Sequence, residues 1–199
     1  MNAIDDRQIQ EIVQRVLQQV LGNSQHGAVP GEAANPNKTV PQAEAQKEAR
    51  KVVAIGADHG GVQLKDILMV DLVGMGFEVK DVGTFSKAAV DYPDYAHEVA
   101  KLVSTGKAWR GIMIDGAGIG SCIVANKVPG VRAGMAYDYT SAVNSREHND
   151  TNVLTLGAGL IGTALAKQIV KTWLSTEFGG DRHTRRIEKI TGVERLYFK

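Results

Sequence analysis

Four clusters of polar residues in this sequence have the types and spacing to do chemistry. In the first, Gly56-Ala57-Asp58-His59-Gly60-Gly61, an Asp-His pair stands between glycines just after an apolar run. The pair either orients a hydroxylated or phosphorylated ligand, or is an Asp cap with an incidental His. It is not GxGxxG, which disfavours a dinucleotide site on this turn. The second cluster is Asp115-Gly116-Ala117-Gly118-Ile119-Gly120-Ser121. Alternate glycines let the backbone approach a ligand, and successive N–H groups at a helix start form an anion cradle; the plainer reading is a tight turn. Asp115 beside that nest is either a cap or a general base, because burial raises a carboxyl's pKa whereas bonded N–H groups lower it. The third is the run Asn144–Asn152, where His148, of a residue type that titrates near neutrality, and Asn149 sit among hydrogen-bonding neighbours. The fourth is Arg182-His183-Thr184-Arg185-Arg186, after Gly179-Gly180. Its guanidinium groups suit bidentate phosphate contacts, and the bland alternative is a solvated basic helix start.

The elements that must position these clusters alternate. Short apolar runs at 51–56, 77–82, 111–115, 131–137 and 153–156 read as strands. Helical patterns fill 63–74, 93–104, 119–127, 141–147 and 163–176. The expected fold class is therefore α/β: a doubly wound five-stranded parallel sheet, a three-layer Rossmann-like sandwich. Ligands of such folds sit beyond the carboxyl ends of the strands, so chemistry is expected there.

Composition narrows the classes. The chain has 199 residues, 23 basic against 22 acidic, which gives no positive excess for wrapping nucleic acid or for polybasic membrane binding. The single Cys122 cannot form an internal disulfide and points to a reducing compartment. No apolar stretch approaches the roughly 18 residues of a membrane span, and the N-terminus lacks the form of a secretory signal. Residues 1–22 carry Ile4, Ile9, Ile12, Val13, Val16, Leu17, Val20 and Leu21 at helical spacing. Residues 23–50, with Pro30, Pro36 and Pro41 and almost no large apolar side chain, read as a flexible linker. The domain then occupies 51–199. An isolated helix of that length is marginal in water, so its apolar stripe needs a partner: its own domain, a sister subunit, or a surface on which it docks as a detachable peptide.

Residues 51–190 closely resemble the ribose-5-phosphate isomerase B family, which includes galactose-6-phosphate isomerase subunits. The shared signatures are GADHGG at 56–61, VDYPDYA at 90–96, GAGIG…ANKVPGVRA at 116–133, SREHNDTNVL at 145–154 and GGDRHTRRIEKI at 179–190. The resemblance implies a dimer or dimer of dimers with active sites at subunit interfaces. It implies aldose–ketose isomerisation of a phosphorylated sugar, most simply ribose 5-phosphate to ribulose 5-phosphate, with no metal or cofactor. By the same resemblance Asp58 and His59 contact the sugar or its phosphate, and Tyr92 lines the pocket. Gly116, Ala117, Gly118, Ile119 and Gly120 supply N–H donors to the enediolate oxygen. His148 helps open the sugar ring with Asn149 beside it, and Arg182 and Arg186 hold the phosphate, partly across the interface.

Three positions depart from the family pattern. The proton-shuttling cysteine is Asp115 here, which makes a carboxylate the expected base. The loop threonine is Ala117, and a phosphate-binding arginine is Gly159. These changes motivate an alternative: a catalytically altered paralogue that acts on another sugar phosphate or only binds one. The N-terminal helix and tether resemble the encapsulation peptides that direct enzymes into bacterial microcompartments, which implies a shell protein as partner and a cytoplasmic, compartment-enclosed location.

Overall fold

The computed structural model describes residues 51–197, so the expected helix at 1–22 and the linker at 23–50 lie outside the described residues. Five parallel strands form one sheet in the order β2-β1-β3-β5-β4. They are β1 (Val52–Ala57), β2 (Glu78–Asp81), β3 (Arg110–Asp115), β4 (Ala133–Met135) and β5 (Val153–Gly157). Among the described residues there are six helices, in chain order α1 (Val62–Gly74), α2 (Tyr92–Ser104), α3 (Ile119–Ala125), α4 (Tyr139–Glu147), α5 (Thr163–Ser175) and α6 (Thr184–Tyr197), the last preceded by the 3-10 turn Asp181–His183. The doubly wound α/β sandwich expected from the alternating pattern is the observed fold.

Side chains of a strand alternate between faces, and the core divides accordingly. Val53, Ile55, Ile112 and Ile114 pack with Leu64, Leu68 and Leu72 of α1 and with Ile169 and Trp173 of α5. Ala54 and Met113 face the other way, against Val99 and Val103 of α2 and Ala125 of α3. Asp115 shares the parity of Met113, so the last side chain of β3 points to the face on which α3 starts. The central strands β1, β3 and β5 are buried almost throughout. Edge strand β4 is half-buried and has only three residues, shorter than the expected 131–137, because it has one pairing neighbour.

In the sequence α6 entered only as the basic helix start weighed as the alternative reading of 182–186. None of its residues is buried, and its apolar positions Ile190, Val193, Leu196 and Tyr197 are exposed. The signal was there in the spacing of Ile187, Ile190 and Val193, but charged residues dilute it.

Candidate active site

Asp58 follows β1 and is 7% exposed. Its Oδ1 accepts from the amides of Gly60 (2.9 Å) and Gly61 (3.1 Å), which bends the chain into α1. The cap reading applies: the Asp58 carboxylate builds the turn that leads into α1. Gly61 is required here, since a Cβ would come within 2.4 Å of the Ile114 carbonyl oxygen. His59 is exposed, and its Nδ1 meets the main chain of Val90 at 3.2–3.3 Å. Buried Lys65 pairs with Asp81 at the end of β2, anchoring the segment that leads to Val90 and Tyr92.

Asp115 is 4% exposed and its carboxylate is fully engaged. Oδ1 accepts from the amides of Ala117 (2.8 Å) and Gly118; Oδ2 accepts from the amide (3.2 Å) and the hydroxyl of Ser121. A carboxylate offers about four lone-pair sites, and here the loop fills them. This shapes the loop into a ring around Asp115, with Gly118 in the left-handed region at φ +78°, where a Cβ would come within 2.9 Å of the Leu156 carbonyl carbon. The amides of Ala117 and Gly118, expected to face a ligand, turn inward to Asp115. The amides of Ile119 and Gly120 begin α3, where helix geometry gives no internal acceptor, and with the Gly116 amide they are the loop donors that have no acceptor among the described residues.

Two close approaches knit these pieces together. A Cβ on Gly60 would lie 3.8 Å from the Gly116 nitrogen, and one on Gly120 would strike the Tyr92 ring at 2.5–2.6 Å. Asp58, His59, Tyr92 and the 116–120 loop thus share the carboxyl end of the sheet. Gly159 sits beside them, its amide bonded to the Gly116 carbonyl at 3.0 Å.

His148, Asn149, Arg182 and Arg186 are elsewhere, which corrects the expectation that all the chemistry gathers at the carboxyl ends. α4 starts just after the carboxyl end of β4 and runs back, so its final residues lie at the amino end of β5. Main-chain bonds from Asn152 to Arg132 (3.0 Å) and from Gly111 to Asn152 (2.9 Å) fix that placement. Arg110, the first residue of β3, donates to the carbonyls of Trp173 (2.7 Å) and Leu174 (3.0 Å), so the end of α5 and the 179–183 segment lie there too. Burial, with Arg146 nearby, lowers the Arg110 guanidinium to about 10, still charged at neutral pH. Within one chain the length of β5, about 15 Å, separates His148 from Asp115.

At this amino end His148 stacks on His183, ring centroids 4.3 Å apart and planes 8° from parallel. Arg182 Nε donates to His183 Nε2 at 3.3 Å. Asp150 holds the loop that follows His148: it accepts from buried Arg146 (2.8 Å) and from Arg132 (2.6 Å), with its own φ at +44°. Sequence reading passed over this three-residue clamp and the His183 stack, both of which depend on contacts between distant elements. Asp150→Ala leaves Arg146 short of a charged partner and puts a Cβ-only residue in the left-handed region. We expect a loss of about 2 kcal/mol, read as a lower urea midpoint at unchanged slope.

A cavity of about 560 Å³ runs along the free edge strand β4, lined by Asn126, Arg132, Tyr137, Asn144 and Asn149 among others. Of the expected site residues only Asn149 lines it. Among the described residues no three of His, Cys, Asp or Glu converge as ligands for a metal ion.

The family model described as Ribose/Galactose Isomerase matches residues 53–190. Ribose-5-phosphate isomerase B of Escherichia coli is 46% identical over 144 residues, 72% of this chain and 97% of that protein. D-erythrulose-4-phosphate isomerase of Pectobacterium atrosepticum is 41% identical over 140 residues, 69% of this chain and 91% of that protein. The solved structure of Clostridium thermocellum ribose-5-phosphate isomerase B superposes with a TM-score of 0.72 at 47% identity, covering 73% of this chain and 99% of that one.

Proposed function

The chain belongs to the ribose/galactose isomerase family, and we propose on that premise that it interconverts an aldose phosphate and its ketose, with ribose 5-phosphate and ribulose 5-phosphate as the pair. The observation that carries this reading is the convergence of Asp58, His59, Tyr92 and the Asp115 loop at one end of the sheet. Isomerisation moves a proton between adjacent carbons, so one base and one set of donors for the intermediate's oxygen suffice. Asp115 is the base. The Ser121 hydroxyl is the only rotor among its four donors, so it is the one that turns away when the carboxylate takes the carbon-bound proton. Ile119 and Gly120 offer their amides to the developing oxyanion.

The remaining groups come from a second copy. His148, for ring opening, and Arg182 and Arg186, for the phosphate, lie at the opposite end of the sheet and cannot serve the same substrate as Asp115 within one chain. A two-fold dimer places the amino end of one sheet against the carboxyl end of the other, twice. The cavity along β4 and the exposed apolar side chains Ile119, Tyr137, Tyr139 and Ile190 support such a contact.

The test is formation of ketose from ribose 5-phosphate by the purified chain. A second reading, another sugar phosphate, is favoured by Gly159, where a phosphate-binding arginine is missing; each charge-assisted bond contributes roughly 1.5–3 kcal/mol. Turnover of D-erythrulose 4-phosphate but not ribose 5-phosphate would select it. Binding seen by thermal shift without turnover of either would identify a binding paralogue.

Residues 1–22 are in this reading a targeting helix on a 23–50 tether, addressed to the shell of a bacterial microcompartment in the cytoplasm. Deleting 1–22 is expected to leave turnover within twofold and to abolish co-purification with shell proteins. Loss of oligomeric state in the truncated chain would make the helix structural instead.

A further inference from the structure

The hydrogen bonds around His148 determine which of its nitrogens carries the proton. Asn149 Nδ2 lies 3.1 Å from the main-chain oxygen of Asn144, which can only accept, so the amide nitrogen of Asn149 faces it. The same nitrogen donates to Asn144 Oδ1 at 3.1 Å, which fixes the Asn144 amide in turn. Asn144 Nδ2 is then left facing His148 Nδ1 at 2.8 Å. An amide NH₂ can only donate, so Nδ1 accepts and the ring proton of neutral His148 sits on Nε2. Among the described residues that N–H has no hydrogen-bond partner: the nearest carboxylate oxygen, on Glu147, is 3.7 Å away.

The other face of the ring is held as well. His183 stacks on it, and because Arg182 donates to His183 Nε2, the proton of neutral His183 is on Nδ1, a buried atom with no partner among the described residues. Burial, and after it the positive charges of Arg182 and Arg186, lower the His183 pKa.

We propose that Asn144 is a positioning residue for His148, locking it in the Nε2–H tautomer so that the ring meets a sugar oxygen as a neutral hydrogen-bond donor and not as a base. The proposal rests on the isomerase reading for its substrate, though not for the tautomer. Nε2 has no lone pair to receive a proton, and Nδ1 is covered by Asn144. A proton added at Nδ1 would face the Asn144 N–H, and flipping that amide would break its bond with Asn149. Neutral imidazole can still polarise a sugar oxygen without changing its charge, the role ascribed to a neutral histidine in another sugar-phosphate isomerase. No proton changes hands at His148 in this scheme: as the ring opens, the bond from the anomeric carbon to the ring oxygen breaks, water supplies the proton that the ring oxygen gains and takes the one that the anomeric hydroxyl loses, and the Nε2–H stabilises the charge developing on the ring oxygen.

The test is ¹⁵N spectroscopy of the full chain with labelled histidine, His148 being identified by its absence in His148→Gln. The expected native pattern is a protonated Nε2 and a bare Nδ1. Asn144→Asp replaces the donor with a carboxylate, which only accepts, and should move the proton to Nδ1. In the same variant kcat on ribose 5-phosphate should fall about tenfold or more with KM within about twofold, because the donor and not the binding surface is lost. Asn144 is exposed on α4, so the fold should be unaffected, and circular dichroism checks this. A protonated Nδ1 in the native chain, or spectra unchanged in Asn144→Asp, would overturn the proposal. If native protein turns over neither ribose 5-phosphate nor D-erythrulose 4-phosphate, the isomerase reading falls, while the spectra alone still decide the tautomer.

Discussion

An equal mixture of Asp115→Asn and His148→Gln protein, unfolded and refolded together, should recover about a quarter of native turnover, above what either variant shows alone. Half of the dimers formed are mixed, and each mixed dimer has one site with both groups intact and one with neither. The expectation follows from where the two residues lie in one chain: Asp115 closes β3 at its carboxyl end, and His148 ends a helix that has run back to the amino ends of β3 and β5. If the site lay within one chain, mixing would restore nothing. Size-exclusion chromatography accompanies the assay, since a monomeric native protein would refute the shared site before any variant is made.

Asp115→Asn alone should lower kcat by about 10²–10⁴-fold, the usual range for a lost general base. It should also lower stability, because the new NH₂ must face N–H donors on one side of the ring. With two amides on Oδ1 and Ser121 on Oδ2, one or more buried donors lose their acceptor, at about 1–3 kcal/mol. Loss of turnover in this variant therefore does not separate a base from a loop anchor, and Ser121→Ala does. Ser121→Ala keeps the carboxylate and both Oδ1 bonds and removes only the hydroxyl donor that the base must displace. Turnover within tenfold of native in Ser121→Ala, against collapse in Asp115→Asn, assigns the proton transfer to the carboxylate. Equal collapse in both would leave Asp115 as the anchor of the loop and move the search for the base elsewhere.

The contrast between these two residues shows how differently the parts of the site could be read. Asp58, Asp115 and the glycines of the loop stand where an apolar strand ends and a helix begins, and that boundary is a local pattern. Sequence reading placed them at the carboxyl end of the sheet correctly. It could not assign the direction of the loop amides. Asp115 reaches three and six residues ahead to collect donors, and whether those N–H groups face inward or outward depends on the left-handed turn at Gly118.

The sequence by itself determined the fold class, the family and the identity of the polar residues, because apolar periodicity and short motifs depend on neighbours along the chain. Tertiary structure decided which residues can act together. His148 and Asp115 are 33 positions apart in the chain and both adjoin central strands, yet the antiparallel return of α4 puts them at opposite ends of the sheet. The tautomer of His148, set by Asn144 and Asn149, and the stack on His183 likewise depend on side-chain contacts that exist only once α4, α5 and the 179–183 segment have packed.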